Sequence, residues 1–106
     1  MSIVHLTREN FEETVAQGEI AVVDFYADWC GPCKMFAPVF EELSGELSDV
    51  VFGKLNVDNE EELAAKYGVM SIPTVIVFKN GEPASSSIGL IGKQKLSDMI
   101  ALAKSE

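Results

Sequence analysis

The 106-residue sequence has little cysteine, histidine or positive charge, and each shortage argues against a class of protein. It contains two cysteines and one histidine, too few for a zinc site, which takes about four ligands. Two cysteines also cannot form the several cross-links of a disulfide-stabilised secreted domain. Eight basic residues against 17 acidic ones give a net charge of −9, which disfavours nucleic acids and anionic membranes as partners. We therefore expect no metal, no nucleic-acid partner and no membrane association.

Long apolar runs and targeting signals are lacking as well. No stretch of about 20 apolar residues is present, so no segment is expected to span a bilayer. Residues 1–9 do not combine a basic segment with an apolar core, as a secretory signal would. With 47% hydrophobic and 24% charged residues, the composition predicts one globular domain over residues 1–106, which we expect in the cytoplasm.

Helical and extended patterns alternate along the chain. Residues 20–27 are almost continuously apolar, which is typical of a central strand covered on both faces. From Pro32 onward apolar residues recur with helical period, and Pro38 within that run predicts one kinked helix. Asn80-Gly81 predicts a hairpin and hence an antiparallel strand pair. The predicted order is βαβαβαββα, with strands at 2–6, 20–27, 50–57, 74–78 and 83–90. These patterns indicate an α/β fold, a five-stranded mixed sheet flanked by four helices.

Two of the helix starts are predicted from capping residues. Thr7 is expected to cap a helix that stops at Gly18. Asn59, with Glu62 three residues later, is typical of a capping box for a short helix that ends near Gly68.

The two cysteines lie close together, in the segment Trp29-Cys30-Gly31-Pro32-Cys33-Lys34 between the apolar strand and the following helix. Cys30 is therefore placed at a helix N-terminus, whose free amides and dipole lower a thiol pKa by about half a unit to one and a half. Because the thiolate is the attacking species in disulfide exchange, Cys30 is the expected nucleophile. Cys33 lies one turn further on, and we expect it to be more buried and to attack second. Gly31 permits close approach and Pro32 suits a first helical turn.

Asp24 interrupts the apolar strand that precedes the cysteines. A carboxylate is costly to bury in its ionised form, so the pKa of Asp24 is expected to rise. A carboxyl group of this kind near Cys33 could take the proton of that thiol as its sulfur attacks. The alternative is that Asp24 is a structural residue held in a salt bridge.

The segment Trp29–Lys34, after a strand that ends in Val-Asp-Phe-Tyr-Ala, resembles the thioredoxin family. The similarity covers nearly the whole chain and includes Asp24, Pro38, Lys54, Ile72-Pro73-Thr74, Gly81 and Gly89. It implies the thioredoxin fold and a general protein-disulfide reductase that works through a mixed disulfide and holds no cofactor. The implied partners are disulfide-containing target proteins and a thioredoxin reductase that draws on NADPH through flavin, or on ferredoxin. The protein itself is expected to be mainly a monomer.

The resemblance also implies roles for residues outside the cysteine pair. Asp24 matches the buried acid/base of the family, and Lys54 matches its nearby charge partner. Pro73 is expected to follow a cis peptide bond, next to which the backbone of Ile72 is free to pair with an extended substrate. The substrate-binding rim is expected to comprise Trp29, Gly31, Pro32, Val57, Ile72, Pro73, Ile88, Gly89 and Leu90.

Two positions depart from the family pattern. Tyr26 stands where bacterial relatives commonly have a second tryptophan, and Met70-Ser71 stands where an Arg-Gly pair is frequent. Both border the expected substrate surface and so bear on the choice of partner.

Two other functions stay open. One is an oxidase or isomerase in an oxidising compartment, against which the Gly-Pro dipeptide and the missing export signal argue. The other is an interaction module in which the dithiol is incidental. A variant with both cysteines replaced by serine separates these classes, because a binding module would keep its function.

Overall fold

A computed structural model describes residues 3–106, which form five strands and four helices. The strands are β1 (Val4–His5), β2 (Ile20–Tyr26), β3 (Val51–Asn56), β4 (Thr74–Lys79) and β5 (Glu82–Ile88). The helices are α1 (Phe11–Val15), α2 (Gly31–Glu46), α3 (Glu61–Lys66) and α4 (Lys93–Ser105). The sheet has the strand order β1-β3-β2-β4-β5, so the predicted mixed α/β fold is confirmed. The predicted first strand, 2–6, shortens to two residues, and its residue 2 lies outside the described residues.

β2 lies at the centre of the sheet, as its apolar sequence predicts. It pairs parallel with β3 and antiparallel with β4, and all of its residues except Tyr26 are buried. In this register the Cα atom of Asp24 lies opposite Lys54 on one side and Val75 on the other. The pairing therefore brings a buried acid and a lysine to neighbouring positions in the middle of the molecule.

The two faces of the sheet bury different side chains, because successive residues of a strand point to opposite faces. On one face Val22 packs in a cluster with Phe40 of α2. On the other face Phe25 packs in a cluster with Phe11 of α1. Asp24 shares the face of Val22, and so it lies on the side that is covered by α2. This is also the helix that begins between the two cysteines.

Two features of the chain path agree with the sequence patterns. α2 continues through Pro38 as one helix and does not divide into two. Asn80 and Gly81 have φ angles of +53° and +85°, and they form the tight turn between β4 and β5. Asparagine and glycine tolerate these left-handed angles better than other residues do.

The predicted cap at Thr7 is wrong, because helix α1 begins only at Phe11 and ends at Val15, before Gly18. The backbone carbonyl of Thr7 accepts hydrogen bonds from the amides of Asn10 (3.1 Å) and Phe11 (2.9 Å). The Thr7 amide donates to Oδ1 of Asn10 at 2.7 Å. Thr7 therefore starts a turn through its backbone, and its side chain does not cap the helix.

The predicted capping box at Asn59 is also wrong. The N-cap of α3 is Glu60, and no side chain in the described part of the chain caps this helix. Instead Asn56, at the end of β3, closes the turn. Its carbonyl accepts from the amides of Asn59 and Glu60, both at 3.1 Å, and its side chain accepts from the amide of Asp58 at 2.9 Å. Asn56 therefore closes the turn before α3, where the sequence pattern predicted a cap at Asn59.

Candidate active site

Cys30 and Cys33 form a disulfide at the start of α2, with their Cα atoms 5.2 Å apart. Cys30 is the N-cap residue, with extended backbone angles (φ −90°, ψ 113°), and its sulfur accepts a hydrogen bond from the amide of Cys33 at 3.2 Å. Its carbonyl accepts from the amide of Lys34 at 3.2 Å. The Sγ atom of Cys30 therefore lies where helix amides and the helix dipole favour negative charge, as the sequence predicts.

The expected difference in burial between the two cysteines is not found. Each is 4% exposed, so Cys33 is no more buried than Cys30. The disulfide holds both sulfurs in one small apolar cluster, against which Tyr26, Val57 and Ile72 pack. In this oxidised state the two thiol positions are therefore shielded alike.

Asp24 is completely buried, and neither of its carboxylate oxygens has a hydrogen-bond partner within the described part of the chain. Burial raises the pKa of Asp24 from 3.8 to about 7, and the positive charge of Lys54 opposes this rise only partly. Among residues 3–106, Asp24 does not form the salt bridge that the sequence left open as an alternative. Asp24 is thus a carboxyl group that exchanges its proton near neutral pH.

Lys54 lies opposite Asp24 in the sheet, and its ammonium stands over an aromatic ring. Its Nζ atom is 4.5 Å from the centre of the Tyr26 ring. A cleft of about 150 Å³ next to this pair is lined by Tyr26, Ala27, Asp28, Cys33, Lys34, Ala37 and Lys54. Cys33 and Lys54 therefore border the same opening, although they come from different elements.

The loop before β4 approaches the disulfide through Ile72. The Ile72–Pro73 peptide bond is cis, and the carbonyl of Pro73 accepts from the amide of Gly89 at 2.7 Å. The hydroxyl of Thr74 donates to the carbonyl of Ser71 at 2.5 Å, which closes the loop. Among residues 3–106, neither the amide nor the carbonyl of Ile72 has a backbone partner. An extended chain that lies against Ile72 would find both groups free.

The surface around the disulfide is apolar and exposed. Trp29 and Ile88 are each 70% exposed, Leu90 is 45% exposed, and Met70 is 95% exposed. The remaining rim positions are exposed at Gly31 and Pro32, half-buried at Val57, Ile72 and Gly89, and buried at Pro73.

Sequence reasoning missed two residues that shape this surface. Asp58 accepts a hydrogen bond from Nε1 of the Trp29 indole at 2.8 Å and so fixes that ring. Asn56 in turn holds the amide of Asp58. The sequence signal for both residues is the polar run that begins at the end of β3. The contact between Asp58 and Trp29, however, depends on long-range folding. The role of Tyr26 as the ring beneath Lys54 was also missed.

No three histidine, cysteine, aspartate or glutamate side chains between residues 3 and 106 come together in a way that could hold a metal ion. In the same region no helix is long and apolar enough to cross a membrane.

Comparison with known proteins agrees with this geometry. A family model described as Thioredoxin matches residues 2–102. The chain belongs to the thioredoxin family. The thioredoxin of Staphylococcus haemolyticus is 48% identical over 103 residues, which cover 94% of this chain and 96% of that protein. The thioredoxin of Bacillus subtilis is 46% identical over 101 residues, with the same coverage.

Solved structures of the family have the same fold. A mutant thioredoxin from Halobacterium salinarum superposes with a TM-score of 0.90 at 34% identity, covering 96% of this chain and 90% of that one. A Plasmodium falciparum thioredoxin superposes with a TM-score of 0.87 at 36% identity, covering 94% and 98%. The resemblance drawn from the Trp29–Lys34 segment is confirmed, and the cysteine pair of this thioredoxin-family chain has a dithiol–disulfide redox function.

Proposed function

We propose that this protein is a general protein-disulfide reductase of the cytoplasm. The observation that carries the proposal is the hydrogen bond from the Cys33 amide to the Cys30 sulfur, at the start of a 16-residue helix and beneath an apolar rim. That arrangement favours the thiolate form of Cys30 once the disulfide is reduced. The rim and the free backbone of Ile72 would receive an extended target segment.

The proposed reaction has two exchange steps. The Cys30 thiolate attacks a disulfide of the target, forming a Cys30–target disulfide and releasing one target thiolate. Cys33 then gives up its proton, and its sulfur attacks the Cys30 sulfur. This step forms the Cys30–Cys33 bond, breaks the mixed disulfide and releases the second target thiolate. The target gains two electrons, and the cysteine pair loses two.

Asp24 is proposed to accept the Cys33 proton in the second step, with Lys54 as the nearby charge. A group with a pKa close to the working pH both takes and returns a proton readily, and burial places the pKa of Asp24 at about 7. Cys33 and Lys54 border the same cleft, so the thiol that gives up the proton and the nearby charge face one opening. A separate thioredoxin reductase is proposed to return the two electrons, so that the chain itself holds no cofactor and works mainly as a monomer.

The reduction potential of the Cys30–Cys33 pair is the first test. We expect a potential below that of the glutathione pool, measured at equilibrium through the fluorescence of Trp29. A potential near or above that of glutathione would contradict the reductase proposal and favour an oxidase or isomerase. If no reversible couple appeared, the interaction-module alternative would lead.

The order of attack is tested with two matched variants. Cys33→Ser removes the second thiol, so it is expected to accumulate a mixed disulfide with an oxidised target protein, visible by mass spectrometry. Cys30→Ser is the control, because it keeps one thiol but removes the proposed nucleophile. Equal trapping by both variants would contradict the assignment of Cys30 as the attacking residue.

A further inference from the structure

The side chains of Asp24, Tyr26 and Lys54 share one face of the sheet. Asp24 and Tyr26 are two residues apart on β2, and side chains with that spacing point to the same face. Lys54 lies opposite Asp24 on the parallel strand β3. The Nζ atom of Lys54 lies 4.5 Å from the ring centre of Tyr26.

The position of the Lys54 ammonium affects the electrostatic environment of Asp24. An ammonium group over an aromatic ring is attracted by the negative face of that ring, so Tyr26 offers Lys54 a binding site of its own. Both Asp24 oxygens are meanwhile buried without a hydrogen-bond partner in the part of the chain that is described. The ring and the carboxylate therefore compete for the same ammonium, and the ring holds it.

We propose that Tyr26 is a positioning residue that keeps the Lys54 ammonium on its ring and thereby leaves Asp24 without a direct counter-ion. This inference deepens the proposed function, since it assigns to Tyr26 the control of the pH range in which Asp24 exchanges its proton. No step of the proposed exchange is assigned to the Tyr26 side chain. It acts through Lys54.

The other charged and titratable groups around Asp24 do not replace this control. From α2, Cys33 is held in the disulfide, and Lys34 lines the outer cleft with Asp28. Burial, and then the nearby charge of Asp28, raise the pKa of Tyr26 above its usual 10, so its phenol stays neutral wherever Asp24 titrates. Lys54 is the cation whose charge acts on the pKa of Asp24.

The test is an NMR titration of the Asp24 carboxyl carbon in the oxidised protein. In Tyr26→Leu the ring is lost, so Lys54 is free to approach Asp24. An opposite charge within about 4–6 Å lowers a carboxyl pKa by roughly one unit or more, and we expect a decrease of that size. Tyr26→Phe is the matched control, because it keeps the ring and loses only the hydroxyl. It is expected to leave the titration midpoint of Asp24 within a few tenths of a unit, a change too small to reflect release of Lys54.

A lysine-free background separates the ammonium from a change in hydration. Tyr26→Leu is repeated in a Lys54→Gln chain, in which no ammonium is available to move. The decrease in the pKa of Asp24 is expected to disappear in that background. A decrease of equal size with and without Lys54, or no decrease in Tyr26→Leu, would overturn the proposal.

A second measurement uses the unchanged chain and so does not depend on how Tyr26→Leu folds. Because Nζ of Lys54 lies over the Tyr26 ring, the protons of the adjoining ε-methylene group should resonate upfield of those of exposed lysines such as Lys95. An unshifted Lys54 signal would overturn the proposal. Because both measurements are made on the oxidised protein without a target, they succeed or fail independently of the reductase activity.

Discussion

Asp24 is the residue at which stability and the proposed chemistry are in conflict. Asp24 has no hydrogen-bond partner within residues 3–106, and its charged form destabilises the folded state because the lost hydration outweighs the attraction of Lys54. The same burial brings the pKa of Asp24 to about 7, the range in which a proton acceptor is useful at neutral pH. Removing the carboxylate should therefore stabilise the protein and impair its exchange chemistry.

This conflict predicts a specific dependence of stability on pH. The pKa of Asp24 is higher in the folded state, about 7, than its ordinary value of 3.8, so between these values the folded protein binds more protons than the unfolded chain. The contribution of Asp24 to the free energy of unfolding is then fully favourable below about pH 4 and is lost as pH rises through 7. We expect a loss of up to about 4 kcal/mol over this interval, measured by guanidinium unfolding of the oxidised protein.

Asp24→Asn is the control for that measurement, because it keeps the shape of the side chain and removes the titration. The difference in stability between the two proteins should grow in favour of the variant from pH 4 to pH 8. A difference that stays constant with pH would show that Asp24 titrates normally. Comparing the two chains cancels the contribution of the other acidic residues, which repel one another more strongly as pH rises.

At the scale of elements, Gly53 shows how tightly β1 and β3 pack. A Cβ atom on Gly53 would lie 2.6 Å from Cδ1 and 3.0 Å from Cγ of Leu6, and Leu6 is itself buried in the core. Since core side chains have little room to move, such a contact forces a displacement. Leu6, which follows β1, therefore packs closely against β3 because position 53 has no side chain.

We expect Gly53→Ala to lower the free energy of unfolding by about 1–3 kcal/mol, as overpacked cores do. Gly45→Ala is the matched control, because Gly45 lies in α2 and no atom stands within 4 Å of its added Cβ. That change should raise the free energy of unfolding by about 0.5–1 kcal/mol through helix propensity. Denaturant unfolding of both variants measures the effects, and a change of the same sign in the two would refute the steric argument.

Most elements could be predicted from the sequence, and the failures have a common physical cause. β2, α2 and the Asn80-Gly81 hairpin follow from patterns that lie within single segments. The predicted caps at Thr7 and Asn59 failed because other groups close these turns: the backbone carbonyl of Thr7 before α1, and Asn56 before α3. Local patterns identify a turn, but they do not decide which of several competent groups closes it.

The candidate site was predictable in its chemistry and less so in its contacts. The cysteine pair and Asp24 carry their own signals, since their residue types are unusual at those positions. The contact of Lys54 with Tyr26 and that of Asp58 with Trp29 depend on strand register and on side-chain direction, which arise only when distant segments pair. The equal burial of the cysteines likewise depends on residues from three other parts of the chain.

At the scale of the whole molecule, the net charge of −9 acts on every encounter with a partner. Long-range attraction speeds association with oppositely charged molecules, and salt screens it with a Debye length of about 10 Å at 0.1 M. The protein should therefore reduce basic disulfide peptides faster than acidic peptides of the same length.

We expect a ratio of kcat/KM of roughly tenfold between basic and acidic peptides at low ionic strength, falling towards unity at about 1 M salt. Stopped-flow measurements across a salt series would supply the values. A neutral peptide serves as the control, and its rate should change little with salt. A ratio that does not depend on salt would show that contacts in the apolar rim, rather than net charge, decide between these substrates.

The amide of Cys33 serves two purposes at once, and this couples folding to reactivity. It belongs to the first turn of α2, and it also solvates the Cys30 sulfur in place of water. A fixed dipole of this kind needs no reorientation when charge appears on the sulfur, whereas water would have to rearrange. Any substitution that frays this turn should therefore have two effects at once. It should weaken the helix, and it should make the Cys30 thiol less acidic. Within this first turn, helix stability and the acidity of the Cys30 thiol therefore change together.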